Sequence, residues 1–160
     1  MESTKKAENL EILPISSKLT LDILLKNTAK YEDLQIFDAD SIISNKHIKL
    51  AFFHAQEAFA EKINFAKSLK MEFLLRAAAT KQIKVAIERC GVKDPSKIIL
   101  VLWGKSIVNK NEILQILQSE EIKWEPNSEK IVSLYTLDPK REKTLENQII
   151  EKMVEVQVGD

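Results

Sequence analysis

Residues 54–91 read HAQEAFAEKINFAKSLKMEFLLRAAATKQIKVAIERCG. Apolar side chains recur in this stretch at spacings of three and four, the period of a helix with one packed face. The recurrence breaks once, at the run Ala79-Thr80-Lys81-Gln82. Two or three consecutive helices with a polar break between apolar faces follow from that pattern. Upstream, Ile48, Ala51, Phe52, Ala55, Phe59, Ile63 and Ala66 form one stripe, which predicts a long amphipathic helix over residues 47–66. Beyond the break, Ile83, Ala86, Ile87 and Cys90 resume the spacing. Gly91 then stands where a C′ glycine closes a helix.

Toward the N-terminus, residues 9–15 alternate roughly apolar and polar and read as a first strand ended by Pro14. Leu21, Leu24, Leu25 and Thr28 predict a short helix within residues 17–30, and residues 34–39 a second strand. Toward the C-terminus, residues 98–103 (IILVLW) are an unbroken apolar run, as in a strand covered on both faces. Asn109 and Glu112 resemble a capping box opening a helix over residues 110–119. Residues 130–135 read as the fourth strand. Asp138-Pro139 reads as an N-cap and N1 pair starting the last helix, whose stripe is Leu145, Ile149, Met153 and Val156. This irregular alternation predicts an α/β or α+β protein with a mixed central sheet of about four strands flanked by helices. With no internal repeat or linker visible, residues 1–160 read as a single domain.

Composition narrows the class. The chain is 44% hydrophobic and 30% charged, ordinary for a globular protein. Cys90 is the single cysteine, so no intrachain disulfide can form. The N-terminal MESTKKAENL lacks the apolar segment of a signal peptide, and no apolar run is long enough to span a bilayer. These features predict a cytoplasmic protein. Net charge is zero but unevenly spread. Residues 41–91 carry nine basic and four acidic side chains, while the segments on either side are net acidic. A local basic excess is the footprint that matters to a phosphate-bearing partner, although a solvated helix face produces it equally well.

Signatures of catalysis are missing. Glycines stand isolated at positions 91, 104 and 159, so no Gly-rich phosphate loop exists. His47 and His54 are seven apart and can share a helix face with Cys90 as a third ligand. No carboxylate or further histidine stands at ligand spacing beside them, so no metal site is predicted. Cys90 lies on an apolar stripe, where cysteine behaves as a small hydrophobe. Glu120-Glu121 reads as a solvated helix end. Glu72 and Arg76, four apart, read as an exposed helix pair worth about a few tenths of a kcal/mol. Arg76 and Thr80 project from one side, and Lys81 and Gln82 follow at the break, where Thr80 can cap the next turn. Opposite them stand His54, Lys62 and Asn64. Together these residues outline a groove for a charged planar ligand, with Phe53, Phe59 and Phe65 as stacking faces. Composition alone favours the plainer arrangement, phenylalanines in the core and polar side chains in water.

The ordered set HIKLA at 47–51, HAQEAF at 54–59, Asn64, EFLL at 72–75, KQI at 81–83 and Ala86-Ile87 before Gly91 lies between FDA at 37–39 and VLWG at 101–104. It resembles the small kinase-binding subunit of the KEOPS complex, the TPRKB-like, CGI-type family, in its archaeal-type form. The resemblance implies a non-catalytic subunit without cofactor, binding the small atypical kinase/ATPase of that complex. KEOPS helps install threonylcarbamoyl on the adenosine next to the anticodon of certain tRNAs. The resemblance further implies that the subunit grips the single-stranded CCA tail of tRNA. Arg76, Thr80, Lys81 and Gln82 would then form one wall of an RNA groove, and His54, Lys62 and Asn64 the other.

Helix geometry offers a candidate kinase surface, alongside the plainer alternative of a last helix buried on a wide face. Ile150 and Val154 lie about 100° round from Ile149 and Met153 on the last helix, apolar positions beyond one core stripe. The expected partners are the kinase and tRNA, with no membrane and no small-molecule substrate. Two other readings stand beside this one. The first is a generic partner-binding module without an RNA role. The second is a small-ligand enzyme with His54 as general base and Arg76 anchoring an anionic substrate.

Overall fold

A computed structural model describes residues 9–158. Its centre is the apolar run expected there, β3 (Ile98–Leu102), every residue of which is buried. Ile98, Leu100 and Leu102 point to one face, while Ile99 and Val101 point to the other. β1 (Glu11–Ser17) and β2 (Leu34–Asp38) flank it, and the short β4 (Ser119–Glu121) extends β1, in the order β2-β3-β1-β4. Each pairing is antiparallel, with Leu13 opposite Leu100, Ile36 opposite Leu100 and Ile15 opposite Glu121. The protein is thus an α+β domain, and its sheet is antiparallel throughout rather than mixed.

Helices cover both faces. α1 (Leu21–Ala29) and α6 (Lys110–Ile116) seal one, packing Leu24, Ile113 and Leu117 on Leu13, Ile15 and Leu34. On the other face lie α2 (Asn45–Ala60), α3 (Leu69–Ala77), α4 (Ile83–Cys90), α7 (Ser128–Tyr135) and α8 (Leu145–Gln157). Phe37, Phe52, Phe73 and Trp103 interlock there with ring centroids 4.9–5.6 Å apart, edge to face except for the tilted Phe52–Trp103 pair. The one-turn α5 (Lys105–Val108) links β3 to α6.

Several expected boundaries shift for identifiable reasons. β1 continues through Pro14 to Ser17, because the Pro14 carbonyl faces β4 and accepts from the Ile122 N–H at 3.0 Å. The missing proline N–H therefore falls at the end of the short β4 ladder, away from β3. Residues 130–135 belong to a helix, α7, and the fourth strand is Ser119–Glu121, which takes in the Glu120-Glu121 pair expected at a helix end. The run IVSLY suits either period. Asn127 decides it by accepting the Lys130 N–H, and Ile131 and Tyr135, four apart, are buried together. Asp138-Pro139 makes a turn, with the Asp138 carboxylate accepting the Lys140 N–H, and Thr144 caps α8 instead. Asn109 makes no side-chain cap bond, so the expected capping box is not formed.

Candidate functional site

The expected break between helices is real, and it is built from a motif that glycine usually marks. α3 ends in a Schellman motif. The Ala79 N–H donates to the Arg76 carbonyl and the Thr80 N–H to the Leu75 carbonyl, with Ala79 left-handed at φ 55°. α2 ends the same way at Ala60 rather than running to residue 66. The Lys62 N–H donates to Phe59 and the Ile63 N–H to Ala58, with Lys62 at φ 59°. A left-handed lysine or alanine carries no glycine signal, so the sequence pattern ran through the first of these ends. Gly91, by contrast, has φ −66°. It caps α4 not as a left-handed residue but because an added Cβ would collide with the Ile87 carbonyl oxygen.

The loop between α2 and α3 is tied down by one carboxylate. Glu72 Oε1 accepts the N–H groups of Phe65 at 2.8 Å and Ala66 at 2.7 Å. Its Oε2 accepts from Arg76 Nε at 2.8 Å, and Arg76 Nη2 lies 2.8 Å from the same oxygen as a charge contact. Arg76 Nη1 donates to Gln157 Oε1 at 2.5 Å, and Gln157 Nε2 donates to Glu57 Oε1 at 2.5 Å. Glu57, Gln157, Arg76 and Glu72 thereby join α2, α8, α3 and the loop. The expectation of an exposed Glu72–Arg76 pair is corrected here: the side chains are 0% and 1% exposed. Arg76 is therefore not a surface phosphate contact. Its guanidinium lies instead 4.4 Å from the centroid of the Phe65 ring, and Lys81 Nζ lies 5.6 Å from the same centroid.

The remaining expected groove residues divide by exposure. Lys81, Gln82, Lys62 and Asn64 are exposed, and Thr80 is half-buried. Thr80 Oγ1 accepts the Gln82 N–H at 3.1 Å and so shapes the break, but it does not cap the next turn as expected: Gln82 is the N-cap of α4 and has no side-chain cap bond. Asn64 Nδ2 donates to the Ala66 carbonyl within the loop. His54 is buried, and its Nδ1 meets no hydrogen-bond partner. Burial holds its pKa below the ordinary histidine value, assisted by the charge of Arg76 and opposed by Glu57. Of the three phenylalanines, Phe53 and Phe65 are exposed and Phe59 is half-buried. Phe65 is the residue whose setting the pattern alone did not single out.

His47 and Cys90 are accounted for inside the core. His47 Nε2 donates to the Ala77 carbonyl at 2.8 Å, and its Nδ1 accepts the Ile43 N–H at 3.3 Å. Burial pushes its pKa down to about 4. Cys90 Sγ lies 3.1 Å from the Tyr135 hydroxyl, which donates to the Ser41 carbonyl. Burial raises the pKa of both groups, keeping them protonated. Among the described residues no group of three or more His, Cys, Asp or Glu is placed to hold a metal ion.

One cleft lies beside the break and another away from it. The first, of about 430 Å³, runs between the break and α8, lined by Lys81, Gln82, Arg89, Tyr135, Thr136 and Lys152 among others. A larger one, about 910 Å³, lies at the far end of the sheet beside Tyr31, Lys70 and Gly104. There Lys70 donates to the Thr28 and Tyr31 carbonyls, and Asp33 accepts the Lys105 N–H. On α8, Ile149 and Met153 are buried as expected, Ile150 is half-buried and Val154 is 43% exposed. Outward apolar residues also occur on α4, where Ile83 and Ile87 of the expected stripe are about half exposed, leaving Ala86 and Cys90 as its buried half.

Fold and site together describe an α+β domain whose buried polar network holds a loop and a helix break in place. The family model described as Kinase binding protein CGI-121 matches residues 15–155, and the chain belongs to that family. No curated protein matches the chain. Among the described residues no helix is long and apolar enough to cross a membrane.

Proposed function

We propose that this chain is the non-catalytic kinase-binding subunit of a KEOPS-type complex, and that it also holds the single-stranded CCA tail of tRNA during threonylcarbamoyladenosine formation. Membership of a kinase-binding family supports the first half. The observation that carries the second is the exposed Phe65 ring with Lys81 beside it, at a helix break within the basic third of the chain. Aromatic faces edged by cations suit single-stranded nucleic acid. Lys81, Gln82, Lys62 and Asn64 are the surface members of the RNA site, and Thr80 shapes the break. Arg76 and His54 act from beneath, as positioning residues. Ile150 and Val154 on α8 form the kinase contact.

The enzyme reading has less support. Arg76 is committed to Glu72 and Gln157, and so is not free to anchor a substrate. Two measurements test the proposal. The purified chain should co-elute with the kinase subunit, and it should bind intact tRNA more tightly than tRNA lacking its CCA tail. Equal affinity for the two tRNAs would remove the RNA role and leave a partner-binding module.

A further inference from the structure

Phe65 is an unusual surface phenylalanine, because it is both open and held. It is 39% exposed, yet its backbone N–H is fixed on Glu72 at 2.8 Å. The Arg76 guanidinium that packs against its ring is itself immobilised by Glu72 and by Gln157 from the far end of α8. The arrangement fixes the orientation of the ring. Lys81 Nζ also lies over the ring, 5.6 Å from its centroid, and Lys62 and Lys67 stand exposed on the same loop with Glu61, so cations outnumber anions around this apolar surface. Their complement is a polyanion that carries flat apolar groups.

We infer that Phe65 is the platform on which one unpaired nucleobase stacks, with Glu72, Arg76 and Gln157 as the positioning residues that hold the ring for it. The inference rests on the RNA reading above and adds the stacking residue and its support. Stacking on an aromatic side chain is sequence-tolerant and does not depend on salt, whereas a lysine–phosphate contact is salt-dependent. The two contributions can therefore be separated on one surface.

The probe is a short single-stranded RNA ending in CCA, with 2-aminopurine replacing the terminal adenine. Binding to the wild-type chain should quench the 2-aminopurine emission. Phe65→Leu should weaken binding about ten-fold or more and abolish the quench, with the salt slope unchanged. Phe65→Tyr, which keeps the ring, should retain both. Lys81→Gln should keep the quench and flatten the log–log salt slope by about 0.7. Gln157→Ala should weaken binding without touching the RNA. Wild-type binding that Phe65→Leu leaves intact overturns the platform while sparing the RNA reading. Loss of kinase binding instead of RNA binding in Phe65→Leu assigns the surface to a protein and overturns it as well. No binding of the probe or of tRNA by the wild-type chain overturns both readings together.

Discussion

Breaking the Glu72–Arg76 pair from one side tests whether it is structural, as its burial states, or a surface ornament. In Arg76→Met, Glu72 stays buried, keeping the two loop N–H groups on Oε1 but losing both contacts to Oε2. In Glu72→Gln, the amide oxygen still accepts the Phe65 and Ala66 N–H groups, while the Arg76 charge loses its counterion. Removing one partner of a buried pair costs about 3–5 kcal/mol, against about 0.3–0.5 kcal/mol for an exposed pair four apart on a helix. For a domain of this size that cost lowers Tm by about 6–20 °C. The double variant Glu72→Gln/Arg76→Met buries neither charge, and its cost should fall short of the sum of the two by about 2 kcal/mol. Urea unfolding of the four proteins at pH 7, with m values compared, measures the cycle. Single-variant losses below about 1 kcal/mol, or additivity, would refute the buried-hub reasoning. A charge reversal at Arg76 would set two carboxylates side by side in the core, so loss of RNA binding in that variant would report unfolding.

Three further outcomes are expected. His47 is neutral and buried with a pKa of about 4, so between pH 6.5 and 4 the unfolded chain binds a proton that the folded chain refuses. Stability is therefore complete above pH 6.5 and falls on acidification, by about 3 kcal/mol at pH 4; a His47→Gln variant should show a shallower loss, and an identical pH profile would sink the argument. Gly104 has φ 56° and ψ −132°, and an added Cβ would meet Asp33 Oδ2 at 3.0 Å. Gly104→Ala should cost about 1–3 kcal/mol in chemical denaturation, and a neutral result would contradict the strained turn. On α8, Val154→Asp should keep Tm near wild type and weaken kinase capture. Ile150→Asp, half-buried, should lower both; unchanged kinase affinity in Val154→Asp moves the kinase surface to another helix.

Local chemistry made much of this protein legible in its sequence. The IILVL run had to be a strand buried on both faces, and the stripes of α2 and α8 had to be helix faces, because an apolar period is imposed by the geometry of one element. Thr80 and the polar run around it marked the helix break for the same reason. The end of α2 escaped notice because Lys62, not glycine, takes the left-handed position there. Residues 130–135 suited two periods equally, and only a cap at Asn127 and burial against distant helices selected one. The burial of Arg76 lay furthest from the sequence. Spacing put Glu72 four residues before it, the signature of a solvated pair, but Gln157 arrives from 81 residues away and the 61–68 loop folds over both. Whether a charged pair sits in water or in the core depends on which remote segments cover it. That is a property of the tertiary arrangement, and no local spacing encodes it.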